Sequence, residues 1–366
     1  MSARNILALN SGSSSLKFGL YRVDSAGAEK LFGETVATVS TADPPEALTR
    51  VASLLGESHA PPPDAIGHRI VHGGPALRQH CRIDDAVLRQ LQAAAPFAPL
   101  HTPAALAVIR FAQAHFPGVP QVACFDTRFH AGLPDVARVL PIARELQAEG
   151  IQRYGFHGLS LESIVRQLGN HVPERLVIAH LGNGASITAV KAGQSIDTSM
   201  GMTPSGGVLM GTRSGDLDPG VLVYLMREKQ FDAARLEALV DQRSGLLGIS
   251  GLSGGMRRLH EAAASNRDAR LAIEMFCYSV RKQVAAMIAV LGGVDMLVFT
   301  GGIGENDAQV RTEICASLSW IGVSLDESRN RAASNPVSDG ASRCQVLVLA
   351  SQEDEQIARH AWALLA

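Results

Sequence analysis

The chain has 366 residues, a formal net charge of -2, and an ordinary globular composition with 46% hydrophobic and 19% charged residues. That length exceeds one usual domain and leads to an expectation of about two, each able to bury a core. The near-neutral balance excludes the broad basic footprint of a nucleic-acid or anionic-membrane partner, while leaving room for local anion sites.

Only Ile6 to Leu9 is apolar before the first polar loop, which is too short for a secretory signal, and no run is long enough to span a membrane. The five cysteines, Cys81, Cys124, Cys277, Cys315 and Cys344, are scattered and sit mostly in apolar runs. Reduced core thiols and a cytoplasmic location are therefore expected.

In chain order, residues 5–9 and 16–23 read as a strand pair, and Phe32 to Val39 continues the β-branched pattern. Pro61-Pro62-Pro63 marks a turn before a strand from Ala65 to Val71 that ends in His72-Gly73-Gly74. Helical periodicity covers 85–95 and 103–116, with Thr102 as N-cap and Pro103 at the first helical position. Short apolar strands from Gln121 to Phe125 and Arg175 to Ala179 deliver Asp126 and His180, with an irregular segment between them that ends in Tyr154-Gly155-Phe156-His157. The turn-rich stretch from Asp197 to Asp218 reads as an ordered binding loop. A long helix from Arg270 to Leu291, strands Met296 to Thr300 and Gln345 to Leu349, and a closing helix over 353–365 complete the chain. Polar residues gather at strand ends, where open α/β sheets place their ligands.

A glycine-serine loop occurs twice at the end of an apolar strand, as Asn10-Ser11-Gly12-Ser13-Ser14-Ser15-Leu16-Lys17 and as His180-Leu181-Gly182-Asn183-Gly184-Ala185-Ser186. Such residues let backbone N–H groups approach an anion and add hydroxyl donors without blocking the site. A third cluster, Thr300-Gly301-Gly302-Ile303-Gly304-Glu305-Asn306, opens a predicted helix whose N-terminus favours negative charge. Two related halves facing one polyphosphate are the simplest reading. No Gly-Lys pair occurs, so there is no Walker loop, and Gly251-Leu252-Ser253-Gly254-Gly255 fits the nucleophile-elbow pattern without the strand that would present the serine.

Seven ordered segments together resemble the acetate kinase family. They are Asn10 to Lys17, Gly67-His68-Arg69-Ile70-Val71-His72-Gly73-Gly74, Phe125-Asp126-Thr127, Tyr154 to Gly158, His180 to Gly184, Met210-Gly211-Thr212-Arg213, and Gly302 to Asn306. The resemblance implies an α/β fold of two similar actin- or ribonuclease H-like domains, with mixed sheets flanked by helices and a cleft between them, as in actin, the sugar kinases and the heat-shock chaperone ATPase. It implies one domain over 1–128 plus 353–366 and another over 129–352.

The activity so implied is reversible phosphoryl transfer between ATP and acetate, giving ADP and acetyl phosphate. Such a transfer asks the protein mainly to position groups and neutralise charge, and acetate, already ionised, needs no general base. The resemblance assigns neutralisation to Arg69 and Arg213, whose guanidinium forks grip carboxylate and phosphoryl oxygens, and a hydrogen bond on the transferring group to His157. Asp126 completes the catalytic set. Val71, Leu100, Phe156 and Pro204 fall around the substrate methyl group. Asn10, Lys17, His180, Gly182, Asn183, Gly184, Arg257, Gly302, Ile303, Gly304 and Asn306 fall along the nucleotide and its phosphates, with a solvated strand charge as the rival reading of Lys17. Asn10, Asp126 and Glu353 fall at the metal, Mg2+ or alternatively Mn2+, the rival for Glu353 being a simple charge at a helix N-terminus. A homodimer is implied, with neither nucleic acid nor membrane as partner.

Two positions depart from the family pattern. Leu161 stands where a second histidine is usual, and Gly255 stands where an acidic residue meets the ribose, which leaves the phosphoryl donor open. Alternatives are a propionate or butyrate kinase, and a non-catalytic nucleotide or acyl-phosphate sensor on the same cleft.

Overall fold

The computed structural model describes residues 2–12, 15–37, 45–57, 60–99 and 101–365. The strands β1 (Arg4–Ser11), β2 (Ser15–Val23), β3 (Ala28–Ala37), β4 (Ala65–Ile70), β5 (Cys81–Arg82) and β6 (Gln121–Phe125) build one sheet, in the order β3-β2-β1-β4-β6-β5. The strands β7 (Arg175–Leu181), β8 (Ala185–Lys191), β9 (Gln194–Thr198), β10 (Met296–Thr300) and β11 (Gln345–Val348) build the other, in the order β11-β10-β7-β8-β9.

The two sheets repeat one topology. β1, β2 and β3 are antiparallel neighbours and β4 then β6 extend the sheet in parallel beyond β1. β7, β8 and β9 are likewise antiparallel, and β10 then β11 extend that sheet in parallel beyond β7. The two glycine-serine loops therefore hold equivalent places, each between the first and second strand of its sheet.

The helix Arg267–Leu291 covers the second sheet. Its buried residues Ala272, Phe276, Val280, Val284 and Met287 recur at helical spacing and pack with Val177, Ala179, Ile187 and Leu297 from the strands beneath. Burying a side chain such as Phe276 stabilises by roughly 1.5–3 kcal/mol. The helix starts at Arg267, ahead of the apolar period, because the Asn266 side chain accepts hydrogen bonds from the backbone N–H groups of Asp268 and Ala269.

On the first sheet the closing helix, Glu353–Ala363, lays Ile357, Ala358 and Ala361 against Ile6, Ala8, Val122 and Cys124. Gly67 permits this approach, since a Cβ there would lie 2.6 Å from the Ile357 side chain. The chain thus returns from its second sheet to its first, carrying Glu353 at the turn.

Several local expectations change. Thr102 is the first residue of the helix Thr102–His115, and the N-cap is His101, without a side-chain cap bond. The helix Gly158–Leu168 and the strands β8 and β9 are additions to the elements expected; β8 shows no alternation because both its faces are covered and its residues from Ala185 to Val190 are all buried. Thr38 and Val39 of the expected third strand, Ser13 and Ser14 of the first loop, and Leu100 lie outside the described residues. Four of the five cysteines are buried and all are free. Among the described residues no helix is long and apolar enough to cross a membrane.

Candidate active site

The ends of β1, β4, β6, β7 and β10 face a common cleft of about 670 Å³. From the first sheet come Asn10, Lys17, Arg69, Val71 and Asp126. From the second come His180, Gly182, Asn183, Gly184 and Gly302, with Phe156, His157, Pro204 and Arg213 from the connecting segments and Glu353 from the closing helix.

Arg69 organises the first wall. Its Nε and Nη2 donate to Asp126 Oδ2 at 2.9 and 2.7 Å, and Nη1 donates to Asn10 Oδ1 at 3.1 Å. Asn10 Nδ2 in turn donates to Glu353 Oε2 at 3.0 Å and Asp354 Oδ1 at 2.7 Å. Burial works against the Arg69 charge, but Asp126 and Glu353 outweigh it and hold the guanidinium above its ordinary value. For Asp126, burial outweighs Arg69 and pushes the carboxyl up to about 6. Glu353 feels the same burial, yet Arg69, His180 and the Asn10 hydrogen bond hold it below the usual range.

Asp126 is buried, and among the described residues its Oδ1 has no hydrogen-bond partner. A bare buried carboxylate oxygen is costly. Here it belongs to an Asp126, Glu353 and Asp354 cluster beside a single arginine, all lining the cleft. That oxygen-rich, net-negative donor set fits a hard divalent cation such as Mg2+.

The opposite wall is cationic and neutral. His157 adopts a left-handed backbone, φ 61°, at the start of the helix Gly158–Leu168, which turns its ring into the cleft. His157 Nδ1 lies 2.9 Å from Ser186 Oγ, and the ring stacks on His180 at 4.2 Å. His180 Nδ1 is held by Ser160 Oγ at 2.8 Å. Burial, reinforced by neighbouring cationic groups, keeps His157 well below its ordinary value and His180 at about 4, so both rings are neutral at pH 7. Arg213 sits beside them. Gly184 is the point of closest approach, since a Cβ there would lie 3.1 Å from Arg213 Nη1 and 3.3 Å from His157 Nε2. The loop carrying Arg213 is pinned by Asp216 Oδ1, which accepts from Gly207 N at 2.7 Å, and by Arg213 O, which accepts from Met210 N at 3.2 Å.

Not every expected residue reaches this space. Arg257 is exposed on the helix Met256–Ala262, Ile303 packs into the second core, Gly304 is buried beneath β7 and β10, and exposed Asn306 donates to Gly302 O at 2.9 Å. In the short helix Gly301–Asn306 only the face carrying Gly301, Gly302 and Glu305 lines the cleft. Conversely, the cleft is lined by residues the sequence did not mark, among them Tyr21, Lys30, Asp354 and Glu355, and two of them, His101 and Glu305, matter most. His101, pushed to about 4 by burial with help from Arg213 and Arg69, stands between the two arginines' fields. Glu305 Oε1 accepts from Gly301 N and Ser351 N, both at 2.9 Å, and so ties the third glycine cluster to the approach of the closing helix. An isolated His before Thr-Pro and a Glu inside a glycine motif give no stronger signal than this.

The family model for the acetokinase family matches residues 5–359. The chain belongs to the acetokinase family. Among its curated relatives, the acetate kinase of Methylocella silvestris is 41% identical, with 99% of this chain and 98% of that protein covered. Among solved structures, a propionate kinase from Francisella tularensis superposes with a TM-score of 0.89 at 35% identity, covering 99% of this chain and all of that one. The acetate kinase of Porphyromonas gingivalis superposes with a TM-score of 0.85 at 33% identity, over 99% of this chain. The fold described above, two mixed sheets flanked by helices, is thus shared with solved acetate and propionate kinases.

Proposed function

We propose that the chain is an acetate kinase, transferring a phosphoryl group reversibly between ATP and acetate. The observation that carries this reading is the convergence of Arg69, Arg213 and the neutral ring of His157 on one cleft bounded by glycine loops. Acetate and the phosphate chain are both anions, and bringing them together is opposed chiefly by charge.

In this reading Arg69, anchored by Asp126, and Arg213, with few partners of its own, grip the acetate carboxylate and the phosphoryl oxygens. With Ser186 donating to Nδ1, His157 carries its proton on Nε2 and presents a donor where Arg213 also points. Val71, Phe156 and Pro204 enclose the methyl group, with Leu100 assigned there by resemblance. Gly182, Asn183, Gly184 and Gly302 bracket the phosphates from the second domain, with His180 beside them and Asn10 and Lys17 opposite. Asp126, Glu353 and Asn10 would hold Mg2+ or Mn2+, which when bound neutralises charge on the phosphate oxygens. Exposed Arg257 belongs to the nucleoside end, where Gly255 leaves base and ribose selectivity loose.

The two domains are taken as 1–128 plus 353–366 and 129–352, a division supported by the packing of the closing helix on the first sheet. A homodimer is supported by exposed apolar side chains on two helices, Val221, Tyr224 and Met226 on one and Leu271, Met275 and Tyr278 on the other. Free cysteines accord with the cytoplasm. A sensor would have no need of two arginines at the transfer point. The test is trapping of acyl phosphate as hydroxamate from acetate, ATP and Mg2+: product is expected, and nucleotide binding without product would favour the sensor.

A further inference from the structure

A second polar cluster lies behind the cleft. Glu162 Oε2 accepts from His360 Nε2 at 2.6 Å and faces His80 Nε2 at 3.6 Å, and the two imidazole centroids are 4.0 Å apart. The side chains are 15%, 24% and 9% exposed for Glu162, His360 and His80, so the cluster is largely dry. Two histidines and a carboxylate have the composition of a metal centre. The hydrogen bonding says otherwise. His80 Nδ1 accepts the backbone N–H of Phe125 at 3.0 Å, so the neutral ring carries its proton on Nε2, the atom that faces Glu162. That atom is a donor rather than a lone-pair ligand. Burial disfavours charge on Glu162, but the His360 hydrogen bond and the facing His80 N–H more than offset it and hold the carboxyl at about 2; His80 Nε2, at 3.6 Å, makes no hydrogen bond among the described residues, so its hold on the anion is electrostatic.

Each partner belongs to, or is bonded to, an element that presents a cleft residue. His80 holds the amide of Phe125, which immediately precedes Asp126 at the end of β6. Glu162 stands on the helix Gly158–Leu168, whose N-cap is His157. His360 stands on the closing helix, which Glu353 begins. A second lashing joins the same two helices, from Arg166 Nη1 to Glu355 Oε1 at 2.9 Å and from Arg166 Nη2 to Gln352 Oε1 at 2.6 Å.

We propose that Glu162 is a positioning residue, which through His80 and His360 locks the elements bearing Asp126, His157 and Glu353 into one unit across the two domains. The proposal rests on the kinase reading above for the meaning of that unit. It adds a role for three residues that touch neither substrate nor phosphate. Losing such outer support typically costs 10–100-fold in a site's performance, since displacements near 1 Å are enough.

The test combines kinetics with amide exchange on the full-length protein. Glu162→Gln keeps the shape and removes the charge; kcat is expected to fall about tenfold or more, with the KM for acetate changed by less than about threefold. His80→Asn retains an acceptor where Nδ1 stands, whereas His80→Gln offers its polar group where Nε2 stands. Asn should therefore retain more activity than Gln, and the Phe125 amide should exchange faster in His80→Gln than in His80→Asn. Unchanged kcat in Glu162→Gln, or a lowered melting point with full activity per folded molecule, would overturn the proposal. Equal Phe125 exchange in the two His80 variants would do the same. If the wild type makes no acetyl phosphate, the kinase reading falls, and the exchange comparison still decides whether the lock exists.

Discussion

His157 and His180 stack face to face, their ring planes 23° from parallel, and neither is protonated at neutral pH. The unfolded chain would protonate both near pH 6.5, so acid draws protons to the unfolded state first. His68, His72, His101 and His130 behave alike, each held at about 4 mainly by burial. Stability should therefore rise with pH between about 4 and 6.5 and level off above. Asp126 acts in the opposite sense between 3.8 and about 6, and Asp197 and Asp354, also raised by burial, act with it, three carboxyls against the six rings named. Urea midpoints should stay level from pH 7.5 to about 6.5 and fall from there to pH 5; a profile flat throughout would mean that these rings are not held neutral.

Arg69 and Arg213 differ in what they leave behind when removed. Arg69 is 15% exposed and pairs with Asp126, 1% exposed, so Arg69→Ala strands a buried carboxylate. Breaking a buried pair from one side costs on the order of 3–5 kcal/mol. Among the described residues, Arg213 Nη1 bonds only to the Pro204 carbonyl and the Met210 sulfur. Both alanine variants should lose roughly 10²–10³ in kcat, but only Arg69→Ala should show a large drop in melting temperature. Equal thermal losses would place the Asp126 anchor elsewhere.

Gly184 offers a cleaner steric test. An added Cβ would press on the tips of Arg213 and His157 at 3.1 and 3.3 Å; the arginine end can yield, while the His157 ring, stacked on His180 and held by Ser186, needs to give only a few tenths of an ångström. Gly184→Ala should fold with near-native stability and lose about ten- to a hundredfold in kcat, since a small displacement of aligned groups is expensive. A variant with full turnover would show that His157 and Arg213 do not need to meet there.

The sequence was most legible where chemistry and backbone coincide. Asn10, Arg69, Asp126 and His180 all sit at or near ends of strands that an apolar run announces, and all line the cleft. It was least legible where a motif is longer than the face that works. Ile303, Gly304 and Asn306 share a motif with Gly302 but turn toward core or solvent, because a helix shows a cleft only one side. Glu305 and Glu162 owe their positions to contacts with residues far away in sequence, such as Ser351 and His360, which no local pattern encodes.

The apolar end of the cleft governs which acid is taken. Val71 is partly buried and packs on the core that includes Phe156, at the end of the strand that also carries Arg69. A pocket of this kind separates acids differing by one methylene by only ~1–3 kcal/mol, so propionate should be phosphorylated as well as acetate, more slowly. Val71→Ala removes two side-chain carbons and so opens more than the volume that one extra methylene needs, without touching either arginine. The ratio of kcat/KM for propionate over acetate should rise about tenfold, chiefly by improving propionate, while Asp126 and Arg69 keep their pairing. A ratio that does not move would place the methyl group away from Val71, and the binding orientation of acetate between Arg69 and Arg213 would have to be reversed.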